Sequence, residues 1–226
     1  MTLILTIPAR DGVVFASDGQ ITLGQVRWQE KKIKQLNEKC LWSASGELAL
    51  IQRMEETIQQ LSKKNQPLVS IRDTLSIAVK QTISTLLQQD FRTQFFQPPN
   101  PEQLLELHPG DFMFAEWQGG PRILHLLLNG TSEWINKPFA LGSGSLFAYA
   151  LLQKYHDCSF SIQKASLLAY KVLEESIDVG SWGLNFPIDI WLMNETCAKS
   201  LDEDEMAALE DSSKALREAE VKLLLG

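Results

Sequence analysis

An apolar hairpin begins at the third residue of this chain and constrains everything that follows. Leu3 to Ile7 and Val13 to Ala16 are apolar runs rich in β-branched residues, separated by Asp11-Gly12. That is the pattern of a buried β-hairpin. A hairpin that starts so early places the beginning of the chain inside the fold, not on a loose tail. Thr2 is then the residue of interest. Removing Met1, as aminopeptidases do before a small residue, leaves a hydroxyl nucleophile and an amine base on one residue. Asp18 ends the second strand beside the start of the first.

The 226 residues give room for one domain with a sizeable core, or a domain plus an appendage. A formal net charge of −7 argues against a nucleic-acid binder. Arg10 and Asp11 interrupt the first apolar run before a signal-peptide core forms, and no run reaches membrane-spanning length. A cytoplasmic protein is expected, with neither membrane nor nucleic acid among its partners. The cysteines, Cys40, Cys158 and Cys197, are odd in number and form no CxxC pair. This fits a reducing compartment. With His108 and His125 far apart, metal-ligand spacing is absent, and no metal or cofactor is expected.

In chain order, Gln25 to Glu30 reads as a loop and Lys31 to Leu36 as a strand without a clean face. Cys40 to Ser45 reads as a strand ended by Gly46. Helices are expected over Leu48–Lys63 and, with Ser70 as N-cap, over Ser70–Gln89. The stretch from Asp90 to Gly110 carries Phe95-Phe96, Pro98-Pro99 and Pro101, and a short Leu104–Leu107 helix, and reads as an insertion. Phe112–Trp117 and Arg122–Leu128 form a second hairpin, and a short strand follows around Trp134-Ile135. Gly142-Ser143-Gly144-Ser145 opens a helix to Tyr155, and another helix spans Ser161–Ile177. Pro187–Met193 is the last core strand. From Lys199 to Gly226 the chain is helical in composition, acidic at its start and apolar at its end. A helix of this kind needs a surface to pack on, and a neighbouring subunit is the expected one.

The opening resembles that of proteasome β-subunits, and most closely the bacterial HslV-type peptidase. Met1-Thr2, Asp18-Gly19-Gln20 and Thr22-Leu23-Gly24 match that family's start, and Lys31-Lys32-Ile33 falls where it carries a catalytic lysine. The resemblance runs from Thr2 to Met193. It implies an α+β fold of the N-terminal nucleophile hydrolase type, a four-layer αββα sandwich of two stacked, mainly antiparallel sheets flanked by helices. Residues 1–198 would form this domain and 199–226 a helical acidic extension. It also implies a threonine-type peptidase acting on polypeptides in a homo-oligomeric ring or double ring, with an ATP-dependent unfoldase as a possible partner.

By the same resemblance, Thr2 is the nucleophile and Lys32, held by Asp18, its electrostatic support, with Lys31 or Lys34 as alternative registers. Ser143 is a proton-relay group, and Asp178 with Ser181 holds the Thr2 amine and hydroxyl. Gly46 provides the oxyanion N–H, and Thr22, Ile21, Ser43 and Glu47 lie around the substrate. Two other functions remain compatible with these residues. One is an amidohydrolase or transpeptidase using the same threonine chemistry; the other is a non-catalytic ring subunit that keeps Met1.

Overall fold

The computed structural model describes residues 2–23, 26–46, 48–62, 66–85, 110–157, 159–179 and 183–225. Residues 86–109, which hold the end of the expected second helix and nearly all of the Asp90–Gly110 insertion with its short helix, lie outside the described residues, as do Gly24, Glu47 and Ser181.

The hairpin pattern at the start becomes β1 (Ile4–Ala9) and β2 (Gly12–Ser17), paired from Ile4↔Ser17 to Ala9↔Gly12. They form the centre of an antiparallel sheet of order β10-β1-β2-β11-β12, completed by β10 (Phe139–Leu141), β11 (Asp189–Met193) and β12 (Ala198–Ser200). A second antiparallel sheet has the order β5-β6-β7-β8-β9: β5 Lys34–Asn37, β6 Cys40–Gly46, β7 Gly110–Trp117, β8 Pro121–Leu126 and β9 Ser132–Ile135.

The period-two alternation of these strands assigns each apolar residue to one of three layers. Ile4, Val13, Phe15, Leu41, Met113 and Ala115 meet between the two sheets. Leu5, Ile7, Val14 and Ala16 face α3 (Ser145–Tyr155) and α4 (Ile162–Asp178). Trp42, Phe112, Phe114 and Leu124 face α1 (Leu48–Ser62) and α2 (Leu68–Thr85). Helix, sheet, sheet, helix is the four-layer order that the resemblance implies.

Three local expectations differ. Residues 25–30 are not simply a loop: β4 (Val26–Gln29) pairs with β3 (Gln20–Leu23) in a separate two-stranded ribbon. β4 is largely exposed, so it shows no apolar alternation to be read. Helix α2 starts at Leu68, so Ser70 lies inside its first turn; the Leu68 N–H is capped by Glu116 Oε2 of β7 at 2.9 Å. A carboxylate from a distant strand has replaced the local cap. A further strand, β12, follows β11, so the tail begins as a sheet edge.

The tail helix α5 (Glu203–Leu225) packs on its own chain along α4. It is opened by a reciprocal cap, in which Glu205 N–H donates to Asp202 Oδ1 (2.9 Å) and Asp202 N–H to Glu205 Oε2 (3.1 Å). Met206 and Leu209 pack on the core that α4 covers. Ser213, fully buried, donates to Glu174 at 2.6 Å, and Glu220 accepts from Lys171 (3.0 Å) and Tyr155 (2.9 Å). These partners face α5 from α3 and α4, at positions that the tail's own sequence does not reveal.

Candidate active site

Thr2 lies just before β1, where the two sheets come together at one edge of the sandwich. The loop from Gly142 to Gly144, between β10 and α3, wraps around it. The Thr2 backbone nitrogen donates to Ser143 Oγ at 3.3 Å, and Gly144 N–H donates to the Thr2 carbonyl at 3.3 Å. Gly142 has φ +93°, and a Cβ there would stand 2.1 Å from the Thr2 carbonyl oxygen and 3.2 Å from Ser45 Oγ. Only glycine fits this backbone approach. The same contact places Ser45, and with it Gly46, beside Thr2.

Behind Thr2, the Asp18 carboxylate is completely buried and receives three donors. Leu3 N–H (2.8 Å) and Lys32 Nζ (2.5 Å) reach Oδ1, and Gln20 N–H reaches Oδ2 (3.1 Å). Of the three lysines considered, Lys32 meets Asp18, Lys31 is exposed, and Lys34 pairs with Glu55. Burial pulls the Lys32 ammonium below its ordinary pKa, and the charge and hydrogen bond of Asp18 pull it back. The Lys32 carbonyl accepts from buried Ser43 Oγ at 2.8 Å, so β6 fixes the lysine's backbone. The turn beyond Asp18 is held from the other side, by Gly19 N–H to the Asn185 carbonyl (3.0 Å) and Gln20 Nε2 to the Gly183 carbonyl (3.0 Å). Gly46 ends β6 at φ +136° opposite Gly110.

In front of Thr2 opens a cavity of about 280 Å³, also lined by Gly46, Ile21, Trp42, Ile51 and the Lys34–Glu55 pair. The sequence gives little sign of this wall. Lys34 reads as one of a run of solvated lysines, and Glu55 as the polar face of an amphipathic helix. Among the described residues no group of three or more His, Cys, Asp or Glu could hold a metal ion.

The family model of the proteasome subunit matches residues 2–188. The chain belongs to the proteasome subunit family. A proteasome subunit beta of Nanoarchaeum equitans (strain Kin4-M) is 31% identical over 182 residues, covering 78% of this chain and 85% of the relative. Two solved structures share the fold. Anbu, an ancestral beta-subunit from Yersinia bercovieri, has a TM-score of 0.75 at 15% identity, over 99% of this chain and 97% of its own. A (Gly-1) mutant of Anbu from Hyphomicrobium sp. strain MC1 has a TM-score of 0.71 at 18% identity, over 98% and 97%.

Not every residue expected at the site of this proteasome-family chain is gathered there. Asp178, the last residue of α4, is 42% exposed on its side chain and accepts from Arg217 Nη1 of α5 at 2.8 Å. No hydrogen bond joins it to Thr2 among the described residues. Its expected partner Ser181 and the pocket residue Glu47 lie outside them. Thr22 is placed only through its backbone, opposite Arg27 in the β3–β4 ribbon. Among the described residues no helix is long and apolar enough to cross a membrane.

Proposed function

We propose that this proteasome-family chain is a threonine-type endopeptidase whose nucleophile, Thr2, becomes active when Met1 is removed. The observation that carries this reading is the buried Lys32–Asp18 pair behind Thr2, with Ser143 Oγ at its backbone nitrogen and an open cavity in front.

In this mechanism Thr2 Oγ attacks the carbonyl carbon of a peptide bond. Its proton passes to the freed α-amine, directly or through Ser143 and water. An α-amine titrates ordinarily at about 7.7–8.0, so a neutral base is available near neutrality. The Lys32 ammonium lowers the cost of negative charge on the hydroxyl and disfavours a second cation on the amine. Gly46 N–H receives the oxyanion that forms as the C–O bond is made. Collapse breaks the C–N bond, and the amine returns the proton to the leaving nitrogen. Water then cleaves the acyl ester and restores Thr2. Assembly into a homo-oligomeric ring in the cytoplasm completes the proposal, since a peptidase of this kind needs its site screened from bystander proteins.

The test uses an epoxyketone inhibitor, which forms its ring adduct only with a free amine and hydroxyl on one residue. Intact mass should show loss of Met1 and then a single adduct. Thr2→Ala should show neither adduct nor peptide cleavage. A natural protein that retains Met1 and takes no label is a non-catalytic subunit, and equal labelling of Thr2→Ala removes Thr2 from the mechanism.

A further inference from the structure

Helix α1 carries two faces. Leu50, Met54, Ile58 and Leu61 fill the core, whereas Leu48, Ile51, Gln52 and Glu55 form a second stripe that lines the cavity in front of Thr2. Positions i, i+3, i+4 and i+7 share one side of a helix, so the stripe runs about 10 Å from Leu48 to Glu55. At Glu55 the stripe meets Lys34 of β5. Lys34 Nζ lies 2.5 Å from Glu55 Oε2 and 5.6 Å from the centre of the Trp42 ring. The two side chains are 30% and 25% exposed, which makes this an ion pair drawn well out of solvent.

Two of the other charges on the cavity are also engaged. Lys32 is held by Asp18, and Glu30 Oε2 accepts from the Trp28 indole at 3.2 Å. Lys31 stands exposed at the rim. Between these groups the walls are apolar, formed by Ile21, Trp42 and Ile51.

We propose that the Lys34–Glu55 pair sets substrate selectivity by admitting an uncharged side chain beside the scissile bond and rejecting charged ones of either sign. This rests on the proposed peptidase reading and adds the class of substrate residue to it. An uncharged side chain long enough to reach the pair displaces only water and lies against Trp42 and Ile51. An incoming carboxylate faces Glu55, and an incoming ammonium or guanidinium faces Lys34. Each must remain unpaired in a confined space or separate an existing pair, and both are costly. Breaking the pair on one side therefore reverses the rule for one sign. Lys34→Met leaves a lone carboxylate that recruits a basic residue, and Glu55→Gln leaves a lone ammonium that recruits an acidic one.

The test compares peptides that differ only in the residue before the cleaved bond: leucine, glutamine, glutamate or arginine. With the Met-free full chain, kcat/KM should favour the uncharged pair by about tenfold or more over either charged peptide. Lys34→Met should raise the arginine peptide by about tenfold, and Glu55→Gln the glutamate peptide by a similar factor. The exchange of both residues, Lys34→Glu with Glu55→Lys, should retain the original order. A second measurement is independent of turnover. Fluorescence anisotropy with Thr2→Ala protein and labelled peptides ending in the same four residues should give the same order of affinity and the same shifts. If that order holds while no peptide is cut, the pocket assignment stands and the peptidase reading falls. If charged and uncharged peptides bind alike, or the single variants leave the order unchanged, the pair does not select.

Discussion

Lys32 is a buried cation whose counter-charge among the described residues is Asp18. Replacing it with Ala leaves Asp18 buried with two backbone donors but no cation. Turnover should fall by two orders of magnitude or more, as when other groups that stabilise transition-state charge are removed. Loss of one partner of a buried pair costs about 3–5 kcal/mol, so thermal unfolding of the variant should be followed alongside kinetics. The burial that lowers its pKa gives a second expectation for the wild type. The ammonium is lost as pH rises through a value below lysine's ordinary 10.5, so the alkaline limb of the rate profile should fall earlier than for a solvated lysine. A limb at or above that value, or an active Lys32→Ala protein, contradicts the role. Thr2, Asp18 and Lys32 were legible because residue order and an early hairpin dictate their meeting. Asp178 was read with the same logic. Its contact with Arg217 joins residues 39 positions apart on two helices, and nothing at Asp178 itself signals that partner.

Among the elements, α2 shows how far a helix cap can come from. Glu116 is 3% exposed, caps Leu68 N–H, and lies 3.6 Å from Arg122. Burial outweighs both favourable contacts and raises its carboxyl above the ordinary 4.5. The sign follows from linkage. The folded state holds this proton more tightly than the unfolded state, so its charge costs stability at neutral pH. That cost is relieved as pH falls through the raised value and is gone below 4.5. Wild type should therefore gain urea resistance relative to Glu116→Gln between neutral pH and the acid side of that range. A constant difference would show that Glu116 titrates as a free carboxylate. Glu116→Ala removes the cap as well and should cost about 0.5–2 kcal/mol on the acid side, where the carboxyl is uncharged, and less at neutral pH. The strands were readable because alternate residues face different layers, as along β6 and β7. The β3–β4 ribbon was not, because β4 is largely exposed and shows no apolar alternation, and β12 was hidden because three edge residues carry too short a pattern.

On the scale of the whole molecule, three apolar layers hold four layers of structure, and α5 adds a fifth contact along α4. Truncation after Leu201 would uncover the surface under Met206 and Leu209 and remove Glu220 from Lys171 and Tyr155. Burial of two such apolar side chains is worth about 3–6 kcal/mol when complete, and here it is partial. A fall in Tm of about 5–10 °C is expected for a chain of this size. An unchanged Tm would mean that the tail contributes nothing to its own subunit.

The loop around Thr2 also sets a clock. The Thr2 nitrogen meets Ser143, 141 positions along the chain, and β10 pairs with β1 from the same late segment. An aminopeptidase needs an extended terminus, whereas in the finished fold Thr2 is held by Ser143 and Gly144. At about 5–20 residues per second, roughly 7–28 s of synthesis separate the emergence of Thr2 from that of the loop that encloses it. Under the proposed mechanism, a terminus trimmed within that interval yields a competent subunit and one trimmed too late does not. The fraction of working sites in the mature assembly is then decided on the ribosome, by a race between trimming and translation.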